Sequence, residues 1–268
     1  MRGTGAQFSE VAVLPPGLLV AVPPERLGAS FAALCPLQPV RMEVDGLVCA
    51  PRCSPEAARA ALASCPFPTR PLDEVPAWPE PPAAMLAGWY RRSPAHLAAP
   101  AGVRELVQAP GEGFGPGDHP TTAMCLAALE GLGPGTALDA GCGSGLLAQA
   151  WAALGRGPAI ALDVDPRAVD HARRSLAAAG RAAAVELRQG PIQSLDADDI
   201  AGRTLLANVP LEAHHALLAG VGRPAAVVLS GIRPAASAAL RGAWRARGLR
   251  PDGEWERGGF VCLRMVGG

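Results

Sequence analysis

A chain of 268 residues, 49% of them hydrophobic, is long enough for about two domains with a real core, which excludes disorder as an overall description. Its 24 basic and 24 acidic residues leave no net charge, so it lacks the broad electrostatic footprint that a phosphate backbone or an anionic membrane requires. Direct nucleic-acid binding and membrane association are therefore not expected. Early in the chain, a short apolar run is interrupted by Pro15, Pro16, Pro23 and Pro24, so neither a signal peptide nor a membrane span fits, and the expected compartment is the cytoplasm. Seven cysteines, an odd number, argue for reduced thiols rather than a disulfide framework. Four of them, Cys35, Cys49, Cys53 and Cys65, lie in the first quarter without any C-x-x-C pair, which favours small buried hydrophobes over a zinc site, and no metal is expected.

Gly17 to Val22 and Pro39 to Ala50 read as strands and PEAARAALA from Pro55 as a helix, giving a small α+β domain over residues 1–65. Between Ser64 and Pro82 a proline recurs every few residues, which disfavours both helix and central strand and predicts a linker. PAAMLAGWYRRSPAHLA then reads as a linker helix, so residues 66–100 form the linker region and 101–268 a second domain. In that domain apolar runs alternate with capped helical segments, the signature of a parallel α/β sheet. TALDA (Thr136 to Ala140), AIALD (Ala159 to Asp163), AAVEL, TLLANV and AAVVLSG are the strands. The helices are SGLLAQAWAAL, PRAVDHARRSLAAAG with Asp165 as cap and Gly180 as stop, and PAASAALRGAWRARG from Pro234. LRPDGEWERGGFVCLRM closes the chain as an antiparallel hairpin around Gly258 and Gly259.

The chemistry concentrates at the turn LDAGCGSG, where Gly141, Gly143 and Gly145 let backbone approach a ligand at a helix N-terminus. A dinucleotide fingerprint would need glycine at position 146, which is Leu146, so a dehydrogenase is disfavoured. Asp139, just before the turn, would repel a pyrophosphate but welcome a ligand that carries an ammonium group, such as S-adenosyl-L-methionine. Asp163 ends the second strand, 18 residues after Gly145, where a carboxylate can accept both ribose hydroxyls. Taken separately, a glycine turn is common and Asp163 with Asp165 could simply cap a helix; together and in this order they predict an adenosylmethionine site. In GEGFGPGDHPTTAMCLAALEGL, from Gly111, a glycine loop runs into a helix whose first turn carries Thr121 and Thr122, suited to hold the methionine carboxylate. The competing reading is an ordinary capped helix with a buried His119. Asn208 ends a strand on the same side as Gly141 and Asp163 and could orient a methyl acceptor.

FGPGDHPTT, LDAGCGSGLLA, ALDVDP, LLANV and VVLSGI, in this order and spacing, resemble the ribosomal protein L11 methyltransferase family, over roughly Trp89 to the C-terminus. The resemblance implies a Rossmann-like seven-stranded methyltransferase sheet behind a small N-terminal α+β substrate-recognition domain. It implies an S-adenosylmethionine-dependent protein N-methyltransferase acting on lysine side chains and the N-terminal amine of a large-subunit ribosomal protein, with cofactor contacts at Thr122, Gly141, Asp163 and Asn208. Pro116 and Asp118 depart from the family's FGTGxH loop, and the segment before it is shortened to GVRELVQAP. Two other readings stay open: a methyltransferase of another protein lysine or a small molecule, and a non-catalytic cofactor-binding module. NVPL lacks the aromatic residue that would stack a flipped base, which disfavours adenine or glutamine acceptors. His119, His214 and His215 are candidate bases, for which helix or core packing is the competing role. Every basic residue is arginine and none is lysine, a bias attributed to coding composition alongside 32 glycines and 28 prolines.

Overall fold

A computed structural model describes residues 17–37, 39–43, 46–49, 55–64, 67–72, 83–111, 119–220 and 222–268. The chain divides into two compact units, residues 1–105 and 106–268. No described helix is long and apolar enough to cross a membrane.

The first unit contains β1 (Gly17–Val20), α1 (Pro24–Leu34), β2 (Pro39–Glu43), β3 (Gly46–Cys49), α2 (Pro55–Ala63) and β4 (Thr69–Leu72), with the strands in the order β2-β3-β1-β4, all antiparallel. Leu18, Val20, Phe31, Leu34, Leu47 and Ala58 form its core with Tyr90, whose ring meets Phe31 edge-on at 4.6 Å. This region thus carries both strands and helices, and two of the elements read from the sequence need correction. Part of the proline-rich stretch read as linker is β4, and it pairs with β1 as an edge strand, the one place in a sheet that tolerates Pro71. Residues 73–82 lie outside the described residues. The stretch read as a linker helix is instead β5 (Ala84–Leu86) and β6 (Trp89–Arg92), joined by a turn in which Ala87 and Gly88 both have positive φ, 48° and 83°. Such a two-residue turn matches the twist of paired strands, and Trp89 and Tyr90 are strand formers that a helical reading undervalued. With β7 (Arg104–Val107) they make a three-stranded sheet of order β5-β6-β7. Cys35 and Cys49 are buried, and burial pushes the Cys35 thiol up to about 12, so it behaves as a small apolar side chain. Cys53 and Cys65 lie outside the described residues.

The second unit is a doubly wound α/β sheet. Its strands are β8 (Ala137–Ala140), β9 (Ala159–Asp163), β10 (Val185–Gln189), β11 (Thr204–Asn208), β12 (Ala226–Ile232), β13 (Leu249–Arg257) and β14 (Phe260–Gly267), in the order β10-β9-β8-β11-β12-β14-β13. The first five are parallel, and β14 enters antiparallel between β12 and β13. Every residue of β8 is buried, as expected of a central parallel strand covered on both faces. The helices are α3 (Pro120–Leu129), α4 (Leu146–Ala153), α5 (Pro166–Ala178), α6 (Ala197–Ile200), α7 (Leu211–Ala219) and α8 (Pro234–Ala246). In α5, Asp165 caps the Arg167 amide at 2.9 Å, and Gly180 ends the segment at φ 66°. The strand order reverses between β8 and β11, and a crevice at the carboxyl ends of such strands is where this architecture binds ligands.

Side chains also hold residues 107–109 against the helices of this unit. The fully buried Gln149 of α4 accepts from the Val107 amide at 2.6 Å and donates to its carbonyl at 2.9 Å, as a neighbouring strand would. In α5, Ser175 accepts from the Ala109 amide at 3.1 Å and His171 donates to the Ala109 carbonyl at 2.7 Å. Replacing Gln149 with leucine leaves two buried backbone groups unsatisfied, and the expected cost is about 3 kcal/mol in urea unfolding. A loss below about 1 kcal/mol would show that water or a shifted backbone takes over both bonds.

Candidate functional site

A cavity of about 650 Å³ opens at the carboxyl ends of β8, β9 and β11, within the range of small-ligand sites. Its floor is the glycine turn. Gly141, Gly143 and Gly145 have φ of 76°, 54° and 79°, a region in which any Cβ is strained. Space adds a second constraint at two of them: a Cβ on Gly141 would lie 2.4 Å from Val209 Cγ1, and one on Gly145 would lie 3.0 Å from Ala172 Cβ. The turn is pinned by the Leu162 carbonyl, which accepts from the Gly141 and Cys142 amides at 2.8 and 3.0 Å.

Asp139 is 1% exposed, yet it lines the cavity. Its Oδ2 accepts from the Ala148 amide at 3.0 Å. The N-cap residue of α4 is Gly145, which has no side chain to cap with, so a carboxylate from the preceding strand does the work instead. Burial, with the nearby Asp163 charge adding to it, pushes the Asp139 carboxyl up to about 7 despite that hydrogen bond. Asp163 is tied at both oxygens, accepting from Gly143 N at 2.9 Å and from Asp165 N at 3.0 Å. Both bonds come from backbone, so each oxygen keeps a further lone pair.

Thr122 lies in the first turn of α3 and lines the cavity with Thr121 and His119. His119 is the N-cap: its Nδ1 accepts from the Thr121 amide at 3.4 Å and lies 2.7 Å from Thr121 Oγ1, while its ring meets Phe260 edge-on at 5.0 Å. It is half-buried, so the capped-helix reading describes its hydrogen bonding but not its burial. The glycine loop expected before it, residues 112–118, lies outside the described residues. Asn208 ends β11 in register with Ser230 of β12 and faces the cavity. Thus Thr122, Asp139, Gly141, Gly143, Asp163 and Asn208 come together, whereas Gly145 stands behind the cavity wall as the turn's hinge onto α4. His214 and His215 are not among the lining residues. His214 donates to the Ser230 carbonyl at 2.9 Å and burial pushes its pKa down, which makes it a clamp between α7 and β12. His215 is exposed.

Sequence reasoning missed Gly190, Pro191, Ile192 and Gln193, the loop after β10, and Pro210 and Ala213 at the start of α7, all of which line the cavity. The signal was available, because β10 ends beside β9 and the strand-end rule applied to Asp163 extends one strand further. Val164 is 64% exposed at the mouth, the exposed large hydrophobic residue of the described chain.

Three comparisons with known proteins bear on this site. Residues 99–267 match the family model described as ribosomal protein L11 methyltransferase. A protein of that name from Bordetella parapertussis is 36% identical over 195 residues, 68% of this chain and 60% of the relative. Another, from Chromohalobacter salexigens, is 36% identical over 174 residues, 63% of this chain and 57% of the relative. The chain thus spans about 60% of the length of the curated relatives it matches. Among solved structures, a ribosomal protein L11 methylase from Lactobacillus delbrueckii subsp. bulgaricus superposes with a TM-score of 0.57 at 21% identity, over 67% of this chain and 94% of that one, a likeness of fold.

The buried Asp139 makes stability depend on pH. Its carboxyl is raised in the folded chain from an ordinary 3.8 to about 7, so between these values the folded form holds a proton that the unfolded form has lost. Stability from this group therefore falls as pH rises through that window and is constant above it. Asp139→Asn keeps the acceptor for the Ala148 amide without the charge. Thermal unfolding should find the variant more stable than wild type at pH 8, with the gap closing towards pH 4. A gap independent of pH would contradict the burial argument.

Proposed function

The chain belongs to the ribosomal protein L11 methyltransferase family, and we propose that it transfers methyl groups from S-adenosylmethionine to amino groups of a large-subunit ribosomal protein, L11, in the cytoplasm. The acceptors are lysine side chains and the N-terminal amine. The observation that carries the reading is the placement of two carboxylates, Asp139 and Asp163, on adjacent strand ends around a glycine turn with no room for a side chain at Gly141.

The residues fit that cofactor. Asp139 faces the cavity with one oxygen engaged by Ala148 and attracts a cationic ligand. Asp163 accepts the ribose hydroxyls with the lone pairs that Gly143 and Asp165 leave over. Thr122, in the first turn of α3, would hold the carboxylate of the ligand with its hydroxyl, since both threonine amides and the Thr121 hydroxyl are engaged by His119. When bound, the cofactor supplies an electrophilic methyl group on a sulfonium centre. The protein's task would then be mainly alignment, holding the acceptor nitrogen beside that methyl group. Asn208, which lines the cavity, would accept a hydrogen bond from the acceptor amine and so orient it. A lysine amine has a reference pKa of ~10.4 and must be neutral to attack. Leu146, Leu162, Val209 and Ala213 wall the cavity with apolar surface that disfavours the ammonium form, and the proton leaves to water.

The family match begins at residue 99, so most of the first unit stands outside it, and acceptor choice is the part of the reading to test first. Purified L11 incubated with the enzyme and S-adenosylmethionine should gain mass in methyl steps, and Asp163→Ala should abolish the gain. Because the chain contains no lysine, every methyl-lysine in a total hydrolysate of the reaction comes from the acceptor and none from the enzyme. Transfer to other proteins or small molecules in a ribosome-free lysate, with none to L11, would keep the chemistry and overturn the acceptor. No transfer in either would leave a module that binds without catalysis.

A further inference from the structure

Arg233 follows β12 directly, at the carboxyl edge of the sheet where the cavity opens. It is exposed, yet its guanidinium is held at two points. It lies 4.1 Å over the Phe260 ring, and Nη1 donates to the Gly259 carbonyl at 3.2 Å. Phe260 in turn packs on His119, a residue of the cavity wall. The hairpin tip between β13 and β14 is fitted to this arrangement. Gly258 and Gly259 have φ of 61° and 73°. A Cβ on Gly258 would come within 2.9 Å of Pro120 Cγ, and one on Gly259 within 3.2 Å of Arg233 Nη1. His119, Phe260 and Arg233 therefore form one continuous stack that starts at the cavity wall.

Arg92, Arg188 and Arg264 are engaged by the internal carboxylates of Glu105, Asp199 and Asp252, whereas Arg156, Arg223 and Arg247, like Arg233, donate to backbone carbonyls. Among the described residues no carboxylate pairs with Arg233. A guanidinium carries five donors in a rigid fork, and one of these is used. A cation stacked on an aromatic face is already oriented, which lowers the entropy lost when it grips a planar anion with two hydrogen bonds.

We propose that Arg233 anchors a carboxylate that the methyl acceptor carries near the amine it presents to the cavity. The proposal rests on the amino-acceptor reading above and adds a specificity rule to it: a segment that is basic throughout is repelled at Arg233, whereas one with an acidic group beside the target amine is held there. A protein offers such a group as a side chain or as its C-terminus.

The test is steady-state kinetics with purified L11 as acceptor. Arg233→Gln should raise the KM for L11 by about two- to fivefold, the scale of an exposed ion pair, with kcat and the KM for S-adenosylmethionine unchanged. Arg233→Lys, which keeps the charge but loses the fork, should fall between. L11 whose carboxylates have been amidated with ethanolamine should show the same rise with wild type and none further with Arg233→Gln; L11 carrying only a C-terminal amide separates the two sources of the anion. Equal KM values for wild type and Arg233→Gln, or a rise that persists with amidated L11, would overturn the proposal and leave Arg233 a brace for the hairpin. Absence of transfer from wild type to L11 is a different failure, since it overturns the proposed function itself.

Discussion

The Asp139 carboxylate accepts the Ala148 amide because Gly145, where α4 begins, has no side chain with which to cap the helix. The same carboxylate lines the cavity, and burial raises its pKa to about 7. One group thus does two jobs that pull in opposite directions. Capping favours the ionised form and burial disfavours it, and a cation in the cavity would tip the balance towards ionisation. A helix start could be capped more cheaply by serine or aspartate at position 145, but φ of 79° there and the Ala172 contact leave glycine as the residue that fits.

From that constraint the rest of the site follows by close packing. Gly141 lets Val209 approach the turn, and Val209 is itself accommodated by Gly231, whose φ is 83° and whose Cβ, if it had one, would lie 2.3 Å from the Val209 carbonyl oxygen. The register of β12 against β14 shifts between Leu229 and Ile232, around Gly231. The Val209 side chain therefore fills the space that Gly141 leaves open, while its backbone packs directly on that of Gly231 in β12. Asn208 is carried into the cavity on β11, between β8 and β12.

The second unit was legible because a parallel sheet buries its strands on both faces, so TALDA, AIALD, TLLANV and AAVVLSG stand out as apolar runs between caps. The acids and glycines of the site were legible for a related reason, since strand ends at a switch point are where ligand chemistry has to sit. Proline misled the reading of the first unit. It is excluded from central strands but allowed at an edge, and nothing in TRPL says which of the two it will be. The β5–β6 turn was hidden by Ala87, a residue that seldom adopts positive φ and gives no turn signal. The loop after β10 and the stacking of Arg233 on Phe260 depend on strand order and a hairpin's reach, which no local pattern encodes.

The central claim is that the cavity reads positive charge through Asp139, and proton linkage measures this most directly. Titration calorimetry with S-adenosylmethionine at pH 7, in two buffers of different ionisation enthalpy, reports the protons exchanged on binding. Wild type should release a fraction of a proton, because a carboxyl raised to about 7 is partly protonated before the cation arrives and ionised afterwards. Asp139→Asn should release none and bind more weakly. Binding without proton release in wild type, or release undiminished in Asp139→Asn, would contradict the account.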